Sequence, residues 1–453
     1  MLVRIQPSTA RGRITAPPSK SMAHRMLICA ALAEGISTIH GIDLSQDILA
    51  TIDGLRALGA DITCQDGNAI VRGIDITCWD GKEMLGVANS CASAGDADAP
   101  GEDVGNRDGS EPATSILPCR ESGSTLRFLL PLCLMGGTSH VLTGSERLLE
   151  RPLKVYEKIC KEQGLVFLKE KNSVQVAGIL AAGQYEIPGN VSSQFISGLL
   201  FVLPLLSDDS RIRLIGPVES RPYIDMTMQV LRSFGVHTAW KDERTIDIPG
   251  RQQYCSQDAQ IEGDYSNAAF FDAFNLIGGD VTVEGLAQGS VQGDRLYKQY
   301  FDQMEEEFTE IDLTDCPDLG PILMVLAAMR HGAKFTGTAR LRFKESSRGA
   351  VMKEELEKAG AKIELADNEI RVAAGAGTPS ETLHGHGDHR IVMALAVLLS
   401  KVGGSISGAE AVAKSLPDFW ERLKRLGILV RLENEAEVRR EVEPDRDTEN
   451  GVR

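Results

Sequence analysis

The chain has no excess of positive charge. Its 48 Lys and Arg are outnumbered by 64 Asp and Glu, giving a net charge of −16. That is the wrong sign for a protein that grips phosphate backbones nonspecifically, so neither nucleic acid nor an anionic membrane is an expected partner. There is no C-x-x-C pair. The nine cysteines (Cys29, Cys64, Cys78, Cys91, Cys119, Cys133, Cys160, Cys255 and Cys316) are scattered and odd in number, which removes zinc-finger and disulfide-scaffold readings and fits thiols in a reducing cytoplasm. Long apolar runs are missing too. "IVMALAVLL" at 391–399 falls well short of a bilayer span, and the opening "MLVRIQPSTARGRI" lacks the continuous apolar segment of a secretory signal, so a soluble cytoplasmic protein is expected. No G-x-x-x-x-G-K-[ST] occurs, so the glycines do not form a P-loop.

What the chain does have is repetition. A phrase of turn, alternating apolar residues and glycine occurs six times, as "EGISTIHG", "GGTSHVLTG", "DDSRIRLIG", "GGDVTVEG", "HGAKFTG" and "VGGSISG". The copies end at Gly41, Gly144, Gly216, Gly285, Gly337 and Gly408, at intervals of 103, 72, 69, 52 and 71 residues. Period-2 alternation predicts a half-buried strand in each, and an apolar helical segment such as "MLICAALA" or "IVMALAVLL" precedes it. A second phrase, a helix ending at glycine and then a hairpin, occurs in "LRALGADITCQDGNAIVRG", "KICKEQGLVFLKEKNSVQVAG", "VLRSFGVHTAWKDERTIDIPG" and "ELEKAGAKIELADNEIRVAAG". The implied unit is β-α-β-α-β-β. Six such units exceed one core and would divide into two domains of three.

The 103-residue interval is too long by about thirty. Residues 87–115, "VANSCASAGDADAPGEDVGNRDGSEPATS", hold almost no large apolar residue and are expected to be a flexible insertion. The charged tail at 436–453 is expected to fray after the last strand.

Cations recur at helix starts. In "PPSKSMAHR" the prolines stop before a helix that Ser19 or Ser21 can cap, and Lys20 and Arg25 then flank free N–H groups at the positive end of the dipole. "ESGSTLRFLLPL" repeats the arrangement with Gly123, Ser124, Thr125 and Arg127, and "VSSQFISGLL" offers Ser192, Ser193 and Gln194. "RFKESSRGAVMKEEL" gathers Lys344, Glu345 and Arg348, with Lys344 and Arg348 expected on one helical face, and "HGHGDHRIVMALAV" opens a helix with Asp388, His389 and Arg390. Any one of these suits a solvated helix start. Five at equivalent ends of a repeat, in an acidic chain, point to a cleft for a compact anionic substrate. His384, His386 and His389 invite a metal reading, but alternating His and Gly also makes an ordinary turn, and no metal is expected.

Taken together, "PPSKSMAHR", "ESGSTLR", "LTGSERLLERP", "SSQFISGLL", "SRPYIDMT", "EGDYSNAAFF", "CPDLGP", "KESSR", "GDHRIVMA" and "KSLPDFW" resemble the enolpyruvyl transferase family, in the branch whose acceptor is shikimate 3-phosphate. The match spans nearly the whole chain apart from the insertion and tail. The resemblance implies an α/β (α+β) fold of two inside-out α/β barrels, or prisms, with three β-α-β-α-β-β units in each. Residues 1–18 plus 262–435 would form one domain and 19–261 the other, closing over substrates in the cleft.

The implied reaction moves the enolpyruvyl group of phosphoenolpyruvate to the 5-hydroxyl of shikimate 3-phosphate. By the same resemblance, Lys20, Ser21, Arg25, Ser192, Ser193, Gln194, Ser220, Asp318 and Lys344 would bind shikimate 3-phosphate. Lys20, Gly123, Arg151, Gln194, Arg348, Arg390 and Lys414 would bind phosphoenolpyruvate. Asp318 would take the hydroxyl proton, Glu345 would shuttle the methylene proton, and Lys20 would support the developing charge. Arg127 and Arg147 lie in matching motifs without an assigned ligand role. No cofactor is implied, and a monomer is.

Three positions depart from the family pattern. Many relatives have Asn where Glu121 stands and an Asn near Arg340, and Ser347 stands where many have an Asp that could orient Arg348. The rival readings are the sister enzyme that uses UDP-N-acetylglucosamine, whose motif has Asn after the lysine where this chain has Ser21, and a noncatalytic repeat protein that binds phosphorylated metabolites.

Overall fold

All six repeated phrases form strands: Ile36–His40, His140–Gly144, Ser210–Ile215, Asp280–Glu284, Ala333–Thr336 and Gly404–Ser407. Their glycines turn the chain. Gly41, Gly216, Gly285, Gly337 and Gly408 all have φ between 68° and 84°, a left-handed conformation that excludes most side chains. Gly144 serves closeness instead, since a Cβ there would meet Leu148 at 2.7 Å.

The computed structural model describes residues 1–75 and 114–433. Residues 87–113 of the expected insertion and the tail at 436–453 lie outside the described residues. The insertion's expected end needs correcting, because Ser115 opens the strand Ser115–Arg120, which pairs in parallel with His140–Gly144. The alternation in "SILPCR" is a strand signal that the polar run ahead of it obscured.

Three four-stranded sheets share one order. Ser115–Arg120, His140–Gly144, Ser173–Ala177 and Val166–Lys169 form the first. Gln184–Pro188, Ser210–Ile215, Thr245–Ile248 and Ala239–Asp242 form the second, and Thr309–Asp312, Ala333–Thr336, Glu369–Val372 and Ile363–Leu365 the third. In each, the first pair is parallel and the rest antiparallel. A parallel pair needs a crossover, and a buried helix supplies it.

Two further four-stranded sheets borrow a strand from a distant part of the chain. Asp258–Gln260 joins Ile36–His40, and Leu2–Gln6 inserts between Gly404–Ser407 and Leu429–Glu433. Among the described residues the copy at Asp280–Glu284 pairs only with Arg11–Thr15. This is where the 52-residue interval falls. After the helix Tyr297–Glu306 the chain runs straight to Thr309–Asp312 without a hairpin. The other hairpins follow their turn chemistry: Asp66 (φ 50°) and Gly67 (φ 72°) supply two left-handed residues between Asp61–Gln65 and Asn68–Arg72.

The apolar side chains form two cores. One runs from Met22 to Ile261, and the other joins Val3–Ala16 to Tyr265–Ile428. Gly320–Met329 and His389–Val402 are buried almost all round, while strands such as Asn68–Arg72 alternate buried with exposed. Each large apolar side chain withdrawn from water in these helices contributes about 1.5–3 kcal/mol. The chain passes between the cores at adjacent points, where Pro18 bridges Gly263, Ser19 N–H donates to Glu262 O at 2.8 Å and Asp264 N–H donates to Pro17 O at 2.8 Å. Among the described residues no helix is long and apolar enough to cross a membrane.

Candidate active site

A single cleft collects side chains from both cores. From the Met22–Ile261 side come Lys20, Ser21, Arg25, Gly123, Arg127, Arg151, Ser192, Ser193, Gln194 and Ser220. From the other side come Asp318, Lys344, Glu345, Arg348 and Arg390. Every residue expected to bind substrate is therefore present except Lys414.

Local structure explains why these side chains point inward. The helix Lys20–Leu32 starts at Ser19, whose hydroxyl accepts from Met22 N–H, so of the two candidate caps it is Ser19 that serves. Ser122, Ser192 and Asp388 cap Gly123–Leu132, Ser193–Val202 and His389–Val402 in the same way. The cleft thus receives three further N-terminal helix ends, each the positive pole of a helix dipole. Gly123 has a steric reason as well: a Cβ there would lie 2.5 Å from Nη1 of Arg151. Ser220 is held at φ 55°, a left-handed non-glycine conformation, with its N–H on Thr314 O at 3.1 Å. Backbone strain of this kind concentrates at functional sites.

The two expected proton carriers share one cation. Arg348, only 1% exposed, donates from Nη1 to Asp318 Oδ1 at 2.7 Å and from Nη2 to Glu345 Oε2 at 2.7 Å. Asp318 also receives Lys344 Nζ at 3.0 Å and lies 3.2 Å from Arg390 Nη2. Glu345 has Arg151 Nη1 at 3.7 Å. Burial pushes both carboxyls upward, but the surrounding cations outweigh it and hold each well below the ordinary carboxylate range.

Lys344 and Arg348 do not share a helical face. The helix begins at Arg348, while Lys344 follows the single turn Ala339–Phe343. They meet only at Asp318 Oδ1. The carboxylate missing at Ser347 is supplied by Asp388, which accepts from Arg348 Nε at 2.9 Å. Arg340 is buried, donates from Nη1 to Ser220 Oγ at 2.6 Å and lies 3.6 Å from Glu219. It puts a buried cation beside Ser220.

Lys414 sits elsewhere. Its ammonium pairs with Glu121 and donates to Gly387 O, in a side cavity shared with Gln46, Arg120 and Glu410. Arg147 also lies outside the cleft proper and donates from Nε to Glu345 O at 3.2 Å. The three histidines are not gathered: His389 lines the cleft, whereas His386 meets Glu355 at 2.7 Å and lies near Glu354. The buried Glu355 is already bonded by Lys358 at 3.0 and 3.1 Å.

Sequence reasoning missed Asp47, which takes Lys20 Nζ at 2.6 Å, and Tyr223, Asp264 and Asn267, all of which line the cleft, as does His389, which was singled out at its helix start without a role. Buried His389 is driven well below its ordinary value by desolvation, then by Lys20 and Arg390, so it is neutral at pH 7. Tyr223 and Asp264 lay inside quoted motifs. Asp47 carried no signal beyond its place in a helix's first turn.

The family model for EPSP synthase (3-phosphoshikimate 1-carboxyvinyltransferase) matches residues 5–95 and 97–423. The chain belongs to the EPSP synthase family. Among curated relatives, 3-phosphoshikimate 1-carboxyvinyltransferase of Clostridium kluyveri is 37% identical over 446 residues, covering 94% of this chain and 97% of the relative. The enzyme of that name from Clostridium acetobutylicum is 36% identical, covering 94% and 97%. EPSP synthase of Acinetobacter baumannii aligns with a TM-score of 0.71 and 25% identity over 95% of this chain and all of that one. The enolpyruvyl transferase NikO of Streptomyces tendae, at 15% identity and the same TM-score over 95% and 98%, shares the fold. The EPSP synthase fold thus accounts for the mixed helix and strand architecture described above.

Proposed function

We propose that this chain transfers the enolpyruvyl group of phosphoenolpyruvate to the 5-hydroxyl of shikimate 3-phosphate and releases phosphate. The observation that carries the reading is the pair Asp318 and Glu345, joined through Arg348, inside a cation-lined cleft between two cores. The reaction needs a proton delivered to the enol methylene, a hydroxyl deprotonated for attack on the adjacent carbon, and then elimination of phosphate. Glu345 delivers and later removes the methylene proton, Asp318 accepts the hydroxyl proton, and Lys20 offsets charge on the departing phosphate. Ser21, Arg25, Ser192, Ser193, Ser220 and Lys344 hold the acceptor. Gly123, Arg151, Arg348 and Arg390 hold phosphoenolpyruvate, and Gln194 lies between the two.

The six strands ending at the repeated glycines are read as six units arranged three and three, in two inside-out prisms of residues 1–18 plus 262–435 and 19–261. The two separate cores support that division. Buried thiols at Cys29, Cys119, Cys133, Cys160 and Cys316 are consistent with work in a reducing cytoplasm, where the protein acts as a monomer.

Phosphate release from phosphoenolpyruvate, measured with shikimate 3-phosphate or UDP-N-acetylglucosamine as acceptor, tests the reading. Release only with shikimate 3-phosphate is expected. Release only with the nucleotide sugar assigns the sister reaction instead.

A further inference from the structure

Asp318 is a strong ion partner and, for that reason, a poor resting place for a proton. Lys344, Arg348 and Arg390 all stabilise its charged form. A base that must take a hydroxyl proton works best when its affinity for that proton is near the working pH. A second carboxylate lies directly behind it. Asp294, in the turn Gly293–Leu296, is 3% exposed and outside the cleft lining.

The Tyr223 hydroxyl stands between the two. It donates to Asp294 Oδ2 at 2.8 Å and lies 3.4 Å from Asp318 Oδ2. Among the described residues Asp294 Oδ1 has no hydrogen-bond partner. A buried carboxylate with an unmet oxygen is costly, whereas the neutral acid has less to satisfy.

We propose that Asp318, Tyr223 and Asp294 form a proton relay in which the acceptor's hydroxyl proton comes to rest on Asp294. The proposal rests on the enolpyruvyl-transfer reading above. As the bond forms between the acceptor 5-oxygen and C2 of phosphoenolpyruvate, the O–H bond breaks and its proton moves to Asp318. Asp318 passes a proton to the tyrosine oxygen while the tyrosine's own proton crosses to Asp294. Asp318 ends charged, Tyr223 neutral as before, and Asp294 neutral. No electrons change hands, and the proton leaves to water when the cleft opens to discharge product.

The surroundings of Asp294 suit that task. Burial and then the neighbouring Asp318 raise it, Arg390 and the Tyr223 bond pull it down, and Asp264 adds a smaller push upward, leaving it at about 7. The nearby Cys316 thiol is held well above its ordinary value, first by burial, and stays protonated. Asp294 can therefore be ionised before the reaction and neutral after it, which the clamped Asp318 cannot.

The test is kcat against pH at saturating substrates for the wild type, Asp294→Asn and Tyr223→Phe, with the shikimate 3-phosphate affinity of each protein measured alongside. The wild type should lose turnover as pH falls through about 7, because protonated Asp294 cannot accept. Both variants should drop at least about tenfold at pH 8 and lose that acid limb, while Asp294→Asn keeps its acceptor affinity within about threefold. Wild-type turnover with an unchanged acid limb in Asp294→Asn overturns the relay. So does a uniform loss at every pH with the limb retained, which marks a structural role. If Asp294→Asn does not fold, Tyr223→Phe decides alone, since it removes one oxygen and breaks the same path. A wild type that turns over neither acceptor overturns the parent reading and the relay with it, whereas an active wild type with wild-type-like variants overturns the relay only.

Discussion

The Lys414 ammonium is held by the Glu121 carboxylate, one from each side of the cleft. Lys414 ends the turn Ala409–Lys414, and Glu121 stands just ahead of Gly123–Leu132, so the pair clasps the two halves at the rim. Glu121 is half exposed, and such a pair contributes about 1 kcal/mol or less. Glu121→Gln should free the ammonium for phosphoenolpyruvate. The expected result is a KM for phosphoenolpyruvate lowered up to about fivefold with kcat nearly unchanged, and a raised KM in Lys414→Ala. Steady-state kinetics at low salt decide it, and an unchanged or higher KM in Glu121→Gln contradicts the clasp.

Asp294 and the pair Asp318 and Glu345 act on stability in opposite directions. Asp318 and Glu345 sit below their unfolded values, so their contribution is present above about pH 4 and is lost as pH falls further. Asp294 sits above its unfolded value, at about 7, so its contribution is complete below about pH 4 and disappears as pH rises through 7. Asp294→Asn removes that penalty. Its urea midpoint should exceed the wild type's by more at pH 8 than at pH 5, and an equal difference at both would contradict the neutral buried acid.

Asp388 has two functions, as a cap and as an ion partner. It accepts from Arg390 N–H at 3.0 Å and from Arg348 Nε at 2.9 Å, and it is fully buried. Asp388→Ala leaves a buried guanidinium short of a partner and should cost about 3–5 kcal/mol. Asp388→Asn keeps an oxygen for the cap and should cost less. Urea unfolding of both variants checks this, and equal losses would mean that the ion pairing with Arg348 alone matters.

Much of this arrangement was legible in the sequence because it depends on local chemistry. Alternation ending at glycine marked all six strands, and hydroxyl residues before apolar runs marked the capped helices of the cleft. The resemblance then supplied the roles of residues that periodicity cannot rank, Asp318 and Glu345 above all. What stayed hidden depends on distant pairings. The borrowed strands Leu2–Gln6 and Asp258–Gln260 are fixed by partners far away in the sequence, at 404–433 and 36–40. Asp388 replaces an absent carboxylate from 41 positions beyond Ser347. The pairing of Lys414 with Glu121 joins residues from the two cores, which no local pattern in the sequence shows.

In the proposed reaction the cleft carries the enol carbon through a methyl group, with Glu345 adding and removing the proton. Turnover in deuterated water reads this directly, because a methyl intermediate that gains one deuteron can lose any of its three hydrogens. Deuterium is expected in the methylene of the enolpyruvyl product with the wild type, and Glu345→Gln should lose both turnover and exchange. Product formed by the wild type with an undeuterated methylene would contradict the addition and elimination sequence.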